Sequence, residues 1–285
     1  MSYRKIMAAI SGGSASRAAT DVACRLAKDF GAHVEGFHVK WDAVAISAIT
    51  AGMLGMSIDA IGLERLVSDS ETLARRAGDT FRSRAEKVGL VPFVGDRKVA
   101  SFNWRVATGS APELVAREAI LHDLIVLGRS DRVLDEPTSY AIEATLTKSG
   151  RPVLLTPSAA PEEIGQHAAI GWNGSPQAAR AVSASLPLLQ RAEKVTVIIV
   201  GREWEPRSNA IVDYLAWHGI NAHHVEHARE GDHGTGARLI EQAGTIGADL
   251  LVMCAFAHAP WHEALFGGAS REALKANAIP ILLTH

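Results

Sequence analysis

The chain has 285 residues, 47% of them hydrophobic and 21% charged, with 29 basic against 31 acidic residues and a formal net charge of −2. That composition excludes a disordered chain, and the near-neutral balance excludes a global field drawing it to nucleic acid or to an anionic membrane. Two cysteines, Cys24 and Cys254, stand far apart in unlike contexts and exclude a disulfide framework.

Met1 to Ile6 leads straight into a strand pattern, too short for the apolar core of a secretory signal, and predicts a cytoplasmic protein. Apolar runs then alternate with helical periods, the signature of βαβ units around a buried parallel sheet. Strands are expected near 4–10, 33–39, 91–107, 123–128 and 152–156, with helices over 15–30, 67–89, 112–121 and 139–149. Ala43 to Ile58 is uncharged for 16 residues, short of the ~20 that span a bilayer. It is expected to pack over its own unit or the interface between units, with a lipid-accepting cavity or a dimer surface as the alternative. Ser158 to Gln166, rich in Ala, Pro and Glu, reads as a linker. Beyond it, strands are expected near 167–172, 194–200, 222–228, 249–254 and 280–284, and helices near 176–190, 207–218, 235–247 and 269–277.

The second series repeats the first. Lys5-Ile6-Met7-Ala8-Ala9-Ile10-Ser11-Gly12-Gly13-Ser14 answers to Ala168-Ala169-Ile170-Gly171-Trp172-Asn173-Gly174-Ser175, each a strand, a Gly-Ser turn and a helix start. Asp123-Leu124-Ile125-Val126-Leu127-Gly128 matches Asp249-Leu250-Leu251-Val252-Met253-Cys254, and Arg151-Pro152-Val153-Leu154-Leu155-Thr156 matches Ile279-Pro280-Ile281-Leu282-Leu283-Thr284. The chain therefore divides into residues 1–157 and 167–285, joined by 158–166.

A strand, an Asp-Gly-Ser-like turn and a long helix, closed by "strand, G-x-x-G, nine residues, G-[S/T], helix, strand", resembles the layout of the universal stress protein family. Here the layout is duplicated over essentially the whole chain. The resemblance implies an α/β fold of two tandem Rossmann-like domains, akin to adenine nucleotide alpha hydrolases. Each would be a five-stranded parallel sheet flanked by helices, the two related by a pseudo-twofold axis. It also implies ATP binding wherever the motif survives. In the second half, Cys254 and Ala257 occupy the positions of the first two glycines, and Gly267-Gly268 stands where G-[S/T] belongs, with Ser270 two residues on. A β-carbon at either of the first two positions blocks close approach to phosphate or forbids a left-handed φ. Asn173 corresponds to the family's ribose-contacting Asp, and Val200 to its adenine wall. The resemblance thus leaves ATP or another anion as a weak ligand of the second half.

The first half departs further. Gly128 keeps the first glycine, but Asp131 replaces the second, Ala141-Ile142 replaces G-[S/T], and Gly12 replaces the ribose Asp. Asp131, Asp135, Glu136 and Glu143 would oppose a triphosphate, so no ATP is expected there. Ser11 to Ser16 resembles the pyrophosphate loop of ATP pyrophosphatases but carries Ala15 where that motif needs Asp. The plain reading is a strand-to-helix turn with Ser14 or Ser16 as cap.

Nine of the 12 histidines follow residue 160. His258 and His262 have the spacing of a metal pair on a helix, but Pro260 between them argues against one, and loop packing is the plainer role. Cys254 is either a redox thiol or a small apolar filler of the vacated glycine position. Three functions stay open: a ligand-responsive stress protein, an adenine-nucleotide hydrolase, and a lipid- or protein-binding module whose nucleotide sites have closed. No catalytic residue set is expected, and no partner beyond a small ligand, a protein or a second copy of the chain.

Overall fold

A computed structural model of the chain describes residues 2–44, 46, 59–129, 136–200, 208–227, 235–255 and 279–285. The first half starts with strand β1 (Lys5–Ala9), helix α1 (Ser14–Phe30) and strand β2 (His33–Lys40). In α1 the residues Ala15, Ala18, Ala19, Val22, Ala23 and Leu26 are buried at helical spacing against the sheet. Gly31, with φ of 61°, ends the helix by turning its N–H back to the carbonyls of Ala27 and Lys28. Helix α2 (Ala60–Lys87) is capped by Asp59, whose carboxylate accepts from the Gly62 N–H at 2.8 Å.

The continuous strand expected over 91–107 is two strands, β3 (Val91–Pro92) and β4 (Ser101–Thr108), paired in parallel with Val91 opposite Ser101. The break has a local cause. Gly95 adopts φ of 107°, and Asp96 accepts from the Lys98 N–H at 2.8 Å, so the apolar run doubles back instead of extending. Helix α3 (Ala111–Ala119), strand β5 (Leu124–Gly128), helix α4 (Glu136–Lys148) and strand β6 (Val153–Thr156) complete the half. Trp104 on β4 fits where two glycines leave room, since a Cβ at Gly36 or at Gly78 would lie 2.8 Å from its ring.

The second half runs β7 (His167–Trp172), α5 (Pro176–Leu189), β8 (Lys194–Val200), α6 (Ser208–Trp217), β9 (Ala222–His227), α7 (Thr235–Thr245), β10 (Leu250–Cys254) and β11 (Ile281–Thr284). The helix expected at 269–277 lies outside the described residues.

All strands join one sheet in the order β3-β4-β2-β1-β5-β6-β11-β10-β7-β8-β9. Strands β1 to β6 hold one side and β7 to β11 the other. Every pairing is parallel except the seam, where β6 and β11 run antiparallel with Leu154 opposite Leu282. Short β3 makes six strands on the first side, one more than expected. Two apolar clusters cover the two faces of the sheet, one under α1 and α5, the other under α3 and α7.

The duplication extends to hydrogen bonds. The Asp123 carboxylate receives the Arg4 and Lys5 N–H groups at 2.7 and 2.9 Å, while Asp249 receives those of Gly165, Gln166 and His167 at 2.8 to 3.2 Å. Each carboxylate thus satisfies the exposed start of its half's first strand. Contacts also tie the first half to the rest of the chain. The Tyr3 hydroxyl donates to the Ala184 carbonyl of the second half at 2.6 Å, and the Arg25 guanidinium donates to the carbonyls of Pro161 and Glu162 in the linker. Among the described residues no helix is long and apolar enough to cross a membrane.

Candidate functional site

In open α/β sheets ligands settle at the carboxyl ends of the strands, where chain order reverses on either side of the first strand. The first half has that reversal between β2 and β5, on opposite sides of β1. A cavity of about 330 Å³ opens there. Ala9, Phe37, Val39 and Leu127 give its sheet wall, Leu66 and Leu73 of α2 one flank, and Ala111, Val115 and Ala141 the other. Its polar groups are few: Ser11, Ser16, His38, Ser70 and, on the exposed side, Asp69. Among the described residues that line it there is no lysine or arginine.

The turn that opens α1 is held by hydrogen bonds of its own. Gly13 is the N-cap residue, so neither Ser14 nor Ser16 caps in the expected manner. Instead the Ser16 hydroxyl reaches back and accepts the N–H groups of both Ser11 and Gly12, each at 3.0 Å, and it meets the Ser11 hydroxyl at 2.8 Å. These two N–H groups precede the helix and are satisfied inside the turn, while the N-cap residue makes no side-chain cap. Leu73 then packs over Gly12, so closely that a Cβ there would lie 2.7 Å from its Cδ1. An aliphatic side chain stands beside the turn that the family resemblance gives to ribose. Gly128 has a packing duty as well. A Cβ on it would collide with the Ala15 carbonyl oxygen, because α1 sits hard against the end of β5.

His38 is the buried polar residue of this cavity, 2% exposed. Its Nδ1 lies 2.7 Å from the Ile10 carbonyl oxygen, which can only accept, so Nδ1 carries the proton and Nε2 is left as an acceptor. Burial lowers the pKa of the ring, with the Ile10 hydrogen bond opposing and Lys40 adding to the effect. The imidazole is therefore neutral at neutral pH. Ser70 accepts the Trp41 N–H at 2.9 Å and pins the chain leaving β2 to α2. His38, Leu73 and Trp41 did not stand out in the sequence. The one available signal was a histidine on the strand His33-Val34-Glu35-Gly36-Phe37-His38-Val39-Lys40, whose neighbours are buried.

A second buried polar group lies on the same strand. The Glu35 carboxylate accepts from the Asn103 amide at 3.2 Å and stands 3.7 Å from His122 Nε2 and 3.9 Å from Arg105. Burial, then Lys5, pushes the His122 pKa down to about 4, so at neutral pH this ring is uncharged, and the Asn103 hydrogen bond to Glu35 ties β4 to β2.

The residues expected to bind nucleotide lie in the second half. Backbone geometry sets the equivalence: Gly12 and Gly174 have φ of 92° and 68°, and the caps are Gly13 and Ser175. Asn173 therefore matches Ser11, one residue before Gly12. Its Oδ1 accepts from the Ser175 N–H at 3.1 Å and the Ser175 hydroxyl at 2.7 Å, while that hydroxyl accepts the Ala178 N–H at 3.1 Å. Val200 ends β8 opposite His227, and Cys254 ends β10, partly exposed, opposite Thr284. Leu239 packs on Gly171, 2.7 Å from a Cβ built there. Ala257, His258, His262, Gly267, Gly268 and Ser270 lie outside the described residues, as do Asp131 and Asp135 of the first half and nearly all of Ala43 to Ile58. Among the described residues no group of three or more His, Cys, Asp or Glu could hold a metal ion.

No family model matches the chain, and no curated protein matches its sequence. Solved structures do match in shape. A universal stress protein from Archaeoglobus fulgidus DSM 4304 superposes with a TM-score of 0.68 at 12% identity, over 98% of this chain and 95% of that one. A functionally unknown protein from Pseudomonas aeruginosa PAO1 gives 0.54 at 15% identity, over 99% and 92%. A putative universal stress protein from Pseudomonas aeruginosa UCBPP-PA14 gives 0.52 at 16%, over 99% and 93%. The chain has the α/β fold of the universal stress proteins, matched over its whole length by two-unit neighbours.

Proposed function

We propose that this chain is a universal-stress-type binding protein that works by taking up a small ligand, without chemistry following. It acts in the cytoplasm as a pseudo-dimer of residues 1–157 and 167–285. The observation that carries the reading is the 330 Å³ cavity at the chain reversal of the first half, within the ~300–1,000 Å³ of small-molecule sites. Its apolar lining favours the reading in which the first nucleotide site has closed to phosphate. In the second half, Asn173, Val200, Cys254, Ala257, Gly267, Gly268 and Ser270 would form at most a weak site for ATP or another anion. Arg271 adds positive charge beside the glycine pair.

Isothermal titration with ATP tests this division. Wild type is expected to bind ATP at about millimolar to high-micromolar dissociation constants, roughly 4 to 6 kcal/mol. Replacing Cys254→Gly together with Ala257→Gly removes the two β-carbons and is expected to tighten binding tenfold or more. Low-micromolar ATP affinity in the wild type would contradict the proposal. Unchanged affinity in the double variant would locate the loss away from those β-carbons, with Asn173, whose oxygen is already bonded within its own turn, the first place to look.

A further inference from the structure

We infer that the first-half cavity selects a compact, uncharged, ring-bearing ligand that carries one hydrogen-bond donor, received by Nε2 of His38. The inference rests on reading the cavity as a ligand site and adds the chemistry of what enters it. His38 lines the cavity, is 2% exposed, and spends Nδ1 on the Ile10 carbonyl, while Nε2 has no hydrogen-bond partner among the described residues. A buried acceptor left unpaired is costly, and a ligand donor placed on it removes that cost. Trp104 stacks on the imidazole with ring centroids 6.1 Å apart and an interplanar angle of 24°, which holds the ring in one orientation.

Charge is excluded from both sides. No lysine or arginine lines the cavity among the described residues, so an anion finds no side-chain counter-charge there, and the Ser11 and Gly12 N–H groups are already bonded to Ser16. A cation finds only Asp69, exposed to water, which does not compensate the loss of hydration further in. Phe37, Trp41 and His38 bring three rings to the lining, which suits a ring-bearing molecule. The second half lacks this arrangement. Ala9 pairs with Phe37 in the first half as Gly171 pairs with Ile198 in the second, so His38 corresponds to Ile199, which has no acceptor.

Indole and indene test the assignment, since they share shape and differ in one ring N–H. Titrated calorimetrically into the full-length protein at neutral pH, indole is expected to bind at least tenfold tighter than indene. In His38→Phe the two are expected to bind alike, with indene affinity retained. Equal affinities in the wild type would show Nε2 satisfied by other means and would overturn the inference while leaving the cavity a ligand site. A preference for indole that survives His38→Phe would overturn the role of His38. Binding of neither probe at millimolar concentration would overturn the cavity reading itself. The wild-type comparison decides the matter even if His38→Phe does not fold.

Discussion

Gly128→Val is expected to destabilise the protein by about 3 kcal/mol or more, the upper end of what overpacking costs. The neighbour is backbone, which cannot rotate away: a Cβ at Gly128 runs into the Ala15 carbonyl oxygen at the start of α1. Relief requires α1 to withdraw from β5, disturbing Ala15, Ala19 and the seat of Ser16 together. Gly13→Ala is the control, because the nearest atom to a Cβ there is the Ser11 hydroxyl at 3.8 Å. Urea denaturation should show a lower midpoint at unchanged slope for Gly128→Val and a smaller loss, about 1 kcal/mol, for Gly13→Ala, which meets no clash but replaces the N-cap glycine of α1. A loss under about 1 kcal/mol for Gly128→Val would mean that α1 is not seated against β5. The corresponding residue of the second half, Cys254, already carries a β-carbon.

Leu154→Asp is expected to cost more, about 4 kcal/mol or above, because it places an unpaired carboxylate where no water reaches. Leu154 and its partner Leu282 are both fully buried, and the neighbouring pairs Val153 with Leu283 and Leu155 with Ile281 are equally so. Since this seam is the only ladder between the two sides of the sheet among the described residues, the substitution is expected to lower the melting temperature of the whole chain in one transition. Leu121→Asp, at a side chain 77% exposed, should leave it nearly unchanged. A wild-type melting temperature in Leu154→Asp would contradict a buried seam.

Much of this architecture is legible in the sequence because it rests on local pattern. Apolar runs such as Leu124 to Leu127 and Leu250 to Met253 can only be doubly buried strands, and their repeat pairs the two halves. The failure at 91–107 is equally physical: Val91, Phe93, Val94 and Val99 look like strand residues, yet all are more than a third exposed around the turn at Gly95. The register of the opening turn was one residue off for a related reason. Gly12, Gly13 and Gly174 look interchangeable as letters, and only the sign of φ shows which of them turns the chain.

The site was harder to read, because its parts are assembled from afar. Leu73 stands some sixty positions from the Gly12 it covers, and nothing local connects Ser70 to Trp41. Nucleotide-motif spacing survives in the second half, at Cys254, Ala257 and Gly267-Gly268. The described cavity lies in the first and shares no residue with that set. Charge at Asp131 and Asp135 argued against ATP in the first half. The described atoms supply two further reasons, a lining without lysine or arginine among the described residues and the aliphatic cover of Leu73.

Native mass spectrometry of the protein purified from its own host, before and after denaturation, tests the central claim most directly. The account predicts a mass excess on the folded protein that is released on unfolding as a small, uncharged, largely apolar molecule. Release of ATP or another nucleotide in its place, at one equivalent per chain, would contradict it.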